Sequence, residues 1–144
     1  MAKQTTLVRH WRRAGQKHAV VTLEGKAGGY RRSPCAECPW RRDLPIGVFP
    51  AEAFRISADT AYDASFKMFA CHMAGQRRFL ACAGFLLSAG AVHNIGVRIA
   101  LARGRLDLAG ISSSDLPLYT TYREMAVANG VAPDDLALKL CRDQ

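Results

Sequence analysis

Long apolar segments are missing from this sequence of 144 residues. No uninterrupted apolar run reaches the roughly 18–20 residues that cross a bilayer. The first residues also lack the apolar core and the cleavage site of a signal peptide. We therefore expect a cytoplasmic protein. Hydrophobic residues still make up 49% of the chain, which is enough to bury a core and argues against a disordered chain.

Acidic residues are scarce as well. The chain has 12 Asp and Glu residues against 20 Lys and Arg, and its formal net charge is +8. This balance suits a polyanion or an acidic protein surface as the partner. A basic solvent-exposed face without a partner is the plain alternative. We expect the partner to be nucleic acid or an acidic protein of the transcription machinery, and we expect no membrane partner.

Cysteines are few, and their number, five, is odd. An odd number fits poorly with a disulfide framework, and cytoplasmic thiols stay reduced, so clustered cysteines favour a metal. Cys35 and Cys38 form a Cys-x-x-Cys turn between two prolines, which points both sulfurs to one side. Cys71 and Cys82 follow one at a time. We predict that Cys35, Cys38, Cys71 and Cys82 bind one metal centre.

The spacing also bears on the kind of metal. A structural zinc site usually has a second Cys-x-x-Cys or a His pair, and this sequence has neither. One such turn with two scattered cysteines is more typical of a [4Fe–4S] cluster, which is held from several directions. We therefore expect a [4Fe–4S] cluster, with Zn²⁺ as the alternative. His72 is an alternative ligand or a hydrogen-bond partner of a ligand, and Cys141 is expected to be a core or surface thiol.

Arginine pairs surround the proposed ligands. Some of this charge would offset a negative four-thiolate centre and donate hydrogen bonds to sulfur. The rest would meet phosphates or an acidic protein surface. No helix-turn-helix or zinc-finger spacing is present, so contacts with the nucleic-acid backbone should dominate over base reading. The candidate contacts are Arg12, Arg13, Arg31, Arg32, Arg41, Arg42, Arg77 and Arg78.

Apolar periodicity predicts a mainly α protein, with a small α+β arrangement as a further option. We expect residues 1–18 to form a basic N-terminal arm and residues 19–144 to form one compact domain stapled by the four-cysteine site. A β-prone run predicts one short strand over 19–23, and 64–73 should be a turn or a short helix. Helices are predicted over about 51–58, 79–89, 91–103, 118–129 and 133–141.

The same periodicity predicts which side chains of these helices face the core. Gly104 and Gly130 are expected to end two of the helices. The predicted inward side chains are Phe54, Ala58, Ala61, Phe79, Cys82, Ala83, Leu86, Leu87, Val92, Ile95, Ile99, Ala102, Leu118, Tyr122, Met125, Ala126, Leu136 and Leu140.

The cysteines and their neighbours resemble an uncharacterised family of small proteins from actinobacteria and their phages. The matching residues are Pro34-Cys35-x-x-Cys38-Pro39-Trp40-Arg41, Cys71-His72 and Cys82-Ala83-Gly84-Phe85. The resemblance covers roughly residues 30–100 and implies an actinobacterial or phage setting, but no known activity. A phage-encoded member would be expected in the host cytoplasm. The chain is more loosely similar to the WhiB-like iron–sulfur regulators, which are small and basic, carry four cysteines and act on transcription. Their cysteines are spaced differently, and their Gly-Val/Ile-Trp-Gly-Gly turn is absent here.

These observations favour a metal-binding basic regulator that binds nucleic acid or the transcription machinery. One alternative is a zinc-stapled interaction or inhibitor module without affinity for nucleic acid. The other is an iron–sulfur enzyme that processes nucleic acid or carries electrons. An enzyme needs acids or bases in a pocket, and the candidates Asp59, Asp63, His93 and Asp107 form no recognisable motif. The sequence therefore leans against catalysis.

Overall fold

The structure is a computed structural model that describes residues 8–14, 19–24, 29–71, 73 and 80–142. Within these residues, three strands form an antiparallel sheet in the order β1-β2-β3. The strands are β1 (Val8–Arg13), β2 (Ala19–Glu24) and β3 (Met68–Phe69). The described α-helices are α1 (Ala51–Ser57), α2 (Ala83–Leu87), α3 (Ile95–Ala102) and α4 (Tyr122–Ala128). Short 3₁₀ turns lie at Ala58–Ala61, Ala91–His93, Leu108–Gly110 and Leu136–Leu138.

The sheet makes this a mixed α+β protein rather than a mainly α one. The predicted strand over 19–23 is confirmed as β2. Residues 8–13, which we had assigned to a basic arm, form β1 and pair with β2 along its whole length. β3 replaces the turn or short helix predicted over 64–73, because Met68 and Phe69 pair with Leu23 and Thr22 far away in the chain.

α1 confirms the helix predicted over 51–58, and α4 confirms the later part of the helix predicted over 118–129. α4 starts only at Tyr122, because Leu118 pairs with Arg41 in an isolated antiparallel bridge instead of lying in the helix. Phe54 of α1 is buried, as predicted. α4 starts after Thr121, whose hydroxyl accepts a hydrogen bond from the backbone N–H of Glu124 at 3.2 Å, a capping arrangement that fixes the helix start. Tyr122 and Met125 are buried against the same core.

The helix predicted over 79–89 is shorter than expected. α2 begins only after Cys82, whose backbone N–H donates to the carbonyl of Phe69 at 2.9 Å. Residues just before α2 are thus extended and paired, so Cys82 precedes the helix instead of lying within it. Leu86 is buried as predicted, but Leu87 is 37% exposed. Phe79 lies outside the described residues.

The helix predicted over 91–103 is broken into a 3₁₀ turn and α3. The side chain of Asn94 accepts a hydrogen bond from the backbone N–H of Val97 at 3.1 Å and starts α3 at Ile95. This start rotates the buried face, so Val97 is fully buried. The predicted inward residues Val92 and Ile99 are instead 44% and 39% exposed, and Ala102 is exposed too. α3 ends near Gly104 as predicted, with a φ of +68° that favours glycine.

The last predicted helix is only a short 3₁₀ turn. The Asp135 side chain accepts a hydrogen bond from the backbone N–H of Ala137 at 2.9 Å and starts that turn. Leu138 is the buried residue, whereas Leu136 and Leu140 are 83% and 64% exposed. Among the described residues, no helix has the length and hydrophobicity that crossing a membrane requires.

Candidate metal centre

A short backbone pairing brings Cys71 and Cys82 together. Ala70 and Ala81 form an isolated antiparallel bridge. The backbone N–H groups of Cys71 and Cys82 donate across this pair at 2.8 and 2.9 Å. Because side chains alternate across a strand, the two cysteines project from the same face of the pair.

A second pairing brings Arg31 to this face. Tyr30 bridges Ala81 in parallel, and the N–H of Arg31 donates to the carbonyl of Ala81 at 3.0 Å. The Arg31 Nε then donates to Cys71 Sγ at 3.3 Å. This hydrogen bond raises the pKa of Arg31. The next side chain alternates away, since the guanidinium of Arg32 lies 5.2 Å from the ring centre of Tyr30.

The Cys-x-x-Cys turn packs closely on the start of α2. The backbone N–H of Cys38 donates to the carbonyl of Cys35 at 3.2 Å and closes the turn. A Cβ at Gly84 would lie 2.5 Å from Trp40 Cβ and 3.0 Å from Cys38 Sγ. Only glycine allows this approach. We did not predict this role from the sequence, although a glycine in the first turn of a helix after a cysteine is a signal for close packing.

The four predicted cysteines form a continuous row of sulfurs in the order Cys82, Cys38, Cys35, Cys71. Cys38 Sγ lies 3.6 Å from Cys82 Sγ, and the Cys35 side chain contacts those of Cys38 and Cys71. All four are free thiols. Cys38 and Cys82 are 0% and 3% exposed, while Cys35 and Cys71 are each 9% exposed. The row thus has an inner pair and an outer pair.

Backbone N–H groups are directed at three of these sulfurs. Each comes from the residue two positions after the cysteine, and each lowers the pKa of the sulfur that it meets. Hydrogen bonds of this kind stabilise thiolates over thiols. The donor and acceptor pairs are Glu37 to Cys35, Trp40 to Cys38 and Met73 to Cys71.

Crowding of the sulfurs opposes ionisation. The hydrogen bond with Cys38 raises the pKa of Cys35, with burial adding to the rise. The hydrogen bond with Cys35 and burial raise the pKa of Cys71 against the effect of Arg31. For Cys38, the hydrogen bond with Cys35 lowers the pKa. The hydrogen bond with Cys82 and burial together outweigh this effect, so the pKa of Cys38 is raised overall. Four thiolates this close would repel one another strongly, and a divalent cation relieves such repulsion.

The chemistry of the donor set therefore fits a metal ion that prefers thiolates. No group of three or more His, Cys, Asp and Glu residues in the described part of the chain is already arranged as metal ligands. The sulfur contacts and the N–H donors nevertheless surround these thiols with the partners that a thiolate ligand needs.

The two arginines that follow the Cys-x-x-Cys turn are engaged in contacts within the protein. Arg41 forms a salt bridge with Asp43 at 2.8 Å and donates to the carbonyl of Ala36 at 3.0 Å. Arg42 pairs with Glu124, and its guanidinium lies 4.8 Å from the ring centre of Tyr119. These internal contacts leave fewer of the predicted arginines available to a partner.

Other predicted residues fall at different places. Arg12 and Arg13 are exposed on β1. His72, Arg77 and Arg78 lie outside the described residues. Cys141 is buried, with its Sγ 3.6 Å from the carbonyl of Ala58, and so is a core thiol.

The acidic residues named above as candidates for catalysis form local contacts. Asp59 pairs with Lys67 at 3.1 Å, and Asp63 pairs with Arg142 at 2.8 Å. The Asp107 side chain accepts a hydrogen bond from the backbone N–H of Ala109.

Fold and site define a small basic α+β protein with four converging thiols. Residues 30–142 match a family of unknown function, DUF6283, and the chain belongs to this family. No curated protein and no solved structure matches the chain.

Proposed function

We propose that this protein binds one metal ion through Cys35, Cys38, Cys71 and Cys82, and that the bound ion staples the α+β fold. The observation that carries the proposal is the convergence of four thiols from three separate chain segments, with backbone N–H donors on three of them. Metal affinity of such a site is part of the folding free energy.

The sulfur separation favours a single ion over a cluster. Four sulfurs placed 2.3 Å from a tetrahedral Zn²⁺ stand about 3.8 Å apart, close to the 3.6 Å between Cys38 and Cys82. In a [4Fe–4S] cluster the four cysteines bind different irons, so the cluster core would hold their sulfurs farther apart. We therefore place Zn²⁺ first and keep the [4Fe–4S] cluster, expected from the sequence, as the alternative.

We further propose that the stapled protein is a regulator that binds nucleic acid. The net charge of +8 supports a polyanionic partner. The candidate acids Asp59, Asp63 and Asp107 are engaged in ion pairs or a cap, which lends no support to the enzyme alternative. An acidic protein of the transcription machinery is the competing partner.

The test of the metal proposal is an absorbance spectrum with zinc, iron and sulfide analysis on protein purified without oxygen. We expect a colourless sample with about one zinc per chain. A brown sample with about four irons per chain would instead establish the cluster. Protein that is folded but holds neither metal would overturn the proposal.

The test of the nucleic-acid proposal is fluorescence anisotropy with labelled oligonucleotides at low salt. We expect binding that weakens as salt rises, because counterions are released on binding. Metal-loaded protein without affinity for any oligonucleotide at low salt would refute this part alone.

A further inference from the structure

One long segment of the chain carries positive charge without any acid. Residues 64–106 contain no Asp and no Glu, yet they include six Lys and Arg residues. The described part of this segment builds β3, α2 and α3. The described basic residues of this segment are Lys67, just before β3, Arg98 on α3, and Arg103 and Arg105 in the turn after α3.

The basic residues of α3 and the turn after it have no internal role. Arg98, Arg103 and Arg105 are exposed. Their side chains form no ion pair or hydrogen bond with another residue that the structure describes. This sets them apart from Arg31 and Arg42, whose guanidinium groups contact Cys71 and Glu124.

Apolar side chains lie beside these arginines. Phe66 is 48% exposed and Ile99 is 39% exposed. A Cβ at Gly96 would lie 2.9 Å from the carbonyl oxygen of Phe66. The backbone of Phe66 therefore lies against the first turn of α3, the turn that also carries Arg98.

We propose that this α3 face, made of Phe66, Arg98, Ile99, Arg103 and Arg105, binds single-stranded nucleic acid. The inference rests on the nucleic-acid part of the proposed function and names the surface that carries it. The arginines meet phosphates, and the Phe66 ring stacks on a base. Proteins that bind single strands without reading sequence combine a cationic path with aromatic stacking in this way.

The mixture of charge and apolar surface selects single strands over duplex. A duplex offers phosphates on its outside and keeps its bases stacked, so it has nothing to place on Phe66 and Ile99. An unpaired strand offers both phosphates and base faces. α3 has eight residues and is about 12 Å long, so the face spans only a few nucleotides.

The experiment compares two triple variants with equal charge loss. Arg98→Gln/Arg103→Gln/Arg105→Gln removes the cations of the α3 face. Arg12→Gln/Arg13→Gln/Lys139→Gln removes three exposed cations from elsewhere. Binding of a labelled 20-nucleotide thymine strand and of a duplex of equal length is measured by anisotropy over a range of salt concentrations. Metal content and thermal unfolding are measured for each variant, so that misfolded protein is recognised.

We expect the α3 variant to bind the single strand at least about ten-fold more weakly at low salt. Its plot of log K against log salt should flatten by about 2, since each lost phosphate contact removes about 0.7. Phe66→Ala should weaken single-strand binding by about ten-fold and leave duplex binding unchanged, because stacking on an exposed ring is lost. The second triple variant should retain most of the affinity.

Several results would overturn this assignment while the proposed function stands. These are equal losses in both triple variants, no loss in the α3 variant, or tighter binding of duplex with no effect of Phe66→Ala. Wild-type protein that binds no oligonucleotide at low salt removes the nucleic-acid function and this surface together. The metal proposal is then untouched, because metal content is measured separately.

Discussion

The protein has two buried polar centres that are completed in different ways. The thiol centre consists of Cys35, Cys38, Cys71 and Cys82. The hydroxyl centre consists of Ser57, Thr60 and Tyr122, all buried. Both connect segments that are far apart in the chain, and both lie in the same core.

In the hydroxyl centre every group reaches a protein oxygen. The Tyr122 hydroxyl donates to the carbonyl of Phe54 at 2.6 Å and lies 2.6 Å from Ser57 Oγ. The Ser57 hydroxyl also lies 2.8 Å from the carbonyl of Ala53 and donates its single proton to that carbonyl or to the Tyr122 oxygen. The Thr60 hydroxyl donates to the carbonyl of Ser57 at 2.8 Å. Buried polar groups satisfied in this way are stable as they stand.

In the thiol centre, by contrast, sulfurs contact mainly other sulfurs. Donors from the backbone and from Arg31 favour thiolates, while neighbouring sulfurs oppose them. The polar groups of the hydroxyl centre are thus satisfied by protein atoms alone. In the thiol centre, the proposed metal ion would supply what the protein atoms do not, and the following tests probe this difference.

The largest effect is expected from Cys38→Ser, which removes one of the inner sulfurs. Metal content should fall from about one ion per chain to near zero, and the protein should unfold, because metal binding and folding are coupled. Metal analysis and circular dichroism measure this. Cys141→Ser is the matched control, since the Cys141 Sγ lies 3.6 Å from the carbonyl of Ala58 and 3.9 Å from that of Ala137, and it should keep both metal and fold. A Cys38→Ser protein with full metal content would exclude the four-ligand scheme.

Gly84→Ala should damage the thiol centre without removing a sulfur. The new Cβ would clash with Trp40 and Cys38 and push the Cys-x-x-Cys turn away from α2. We expect metal affinity to fall by at least about ten-fold, as for changes to groups that orient ligands, measured by competition with a chelator. Gly90→Ala is the control, because its Cβ would meet only ordinary contacts at 3.6 and 3.7 Å. Equal affinities of the two variants would contradict the close approach of turn and helix.

Arg31→Met tests the hydrogen bond to Cys71. The loss of a donor to a ligand typically weakens metal binding by 10–100-fold, and we expect about ten-fold here because all four sulfurs and the contacts between them remain. Chelator competition again gives the affinity. Arg32→Met removes the same charge from the opposite face and should leave the affinity unchanged. If both variants lose affinity equally, the effect is one of overall charge and not of the hydrogen bond.

Tyr122→Phe tests the hydroxyl centre. The Ser57 hydroxyl and the Phe54 carbonyl lose a partner in the core, which costs about 1–3 kcal/mol of unfolding free energy. Urea unfolding of metal-loaded protein measures the loss, and metal content should not change. Tyr119→Phe is the control, since its hydroxyl makes no hydrogen bond with any residue that the structure describes. A Tyr122→Phe protein that loses its metal would show that the two centres are not separate.

Asp135→Asn should have the smallest effect, and it depends on pH. The backbone N–H of Ala137 and the side chain of Arg55 hold the pKa of Asp135 below its usual value. The carboxylate therefore stabilises the fold above the pKa of the unfolded chain, and this contribution fades as pH falls through the lowered folded pKa. Wild type should unfold at higher urea than the variant at pH 7, and the difference should shrink near pH 3. A difference that is independent of pH would contradict this account.

Elements whose formation depends on neighbouring residues in the chain were predicted from the sequence. The helix around Tyr122 and Met125 was predicted from its spacing, and β2 from its run of β-branched residues. The meeting of Cys71 and Cys82 with the Cys-x-x-Cys turn was also predicted, because clustered cysteines in a reducing compartment favour one shared metal centre. That the four hold a metal stays a prediction.

The elements that were missed depend on pairing between distant segments. β3 has two residues and forms only because Leu23 and Thr22 lie beside it, so it leaves no period in the sequence. Because Ala81 pairs with Tyr30 and Ala70, the chain is extended there and the helix predicted from residue 79 begins only at Ala83. The pairing with Tyr30 also turned Arg31 toward the sulfurs, a contact that no spacing reveals. Such pairings decide the site, and they are visible only in the folded chain.

The difference in burial between the two pairs of sulfurs has a consequence for the rate of metal exchange. Cys38 and Cys82 are closed in by the protein, whereas Cys35 and Cys71 reach the surface. In the proposed metal-loaded protein, an ion would therefore enter and leave past Cys35 and Cys71, beside the hydrogen bond from Arg31 to Cys71. The guanidinium would repel an approaching cation and would have to move before a chelator could attack. This hydrogen bond would thus slow the release of the proposed ion.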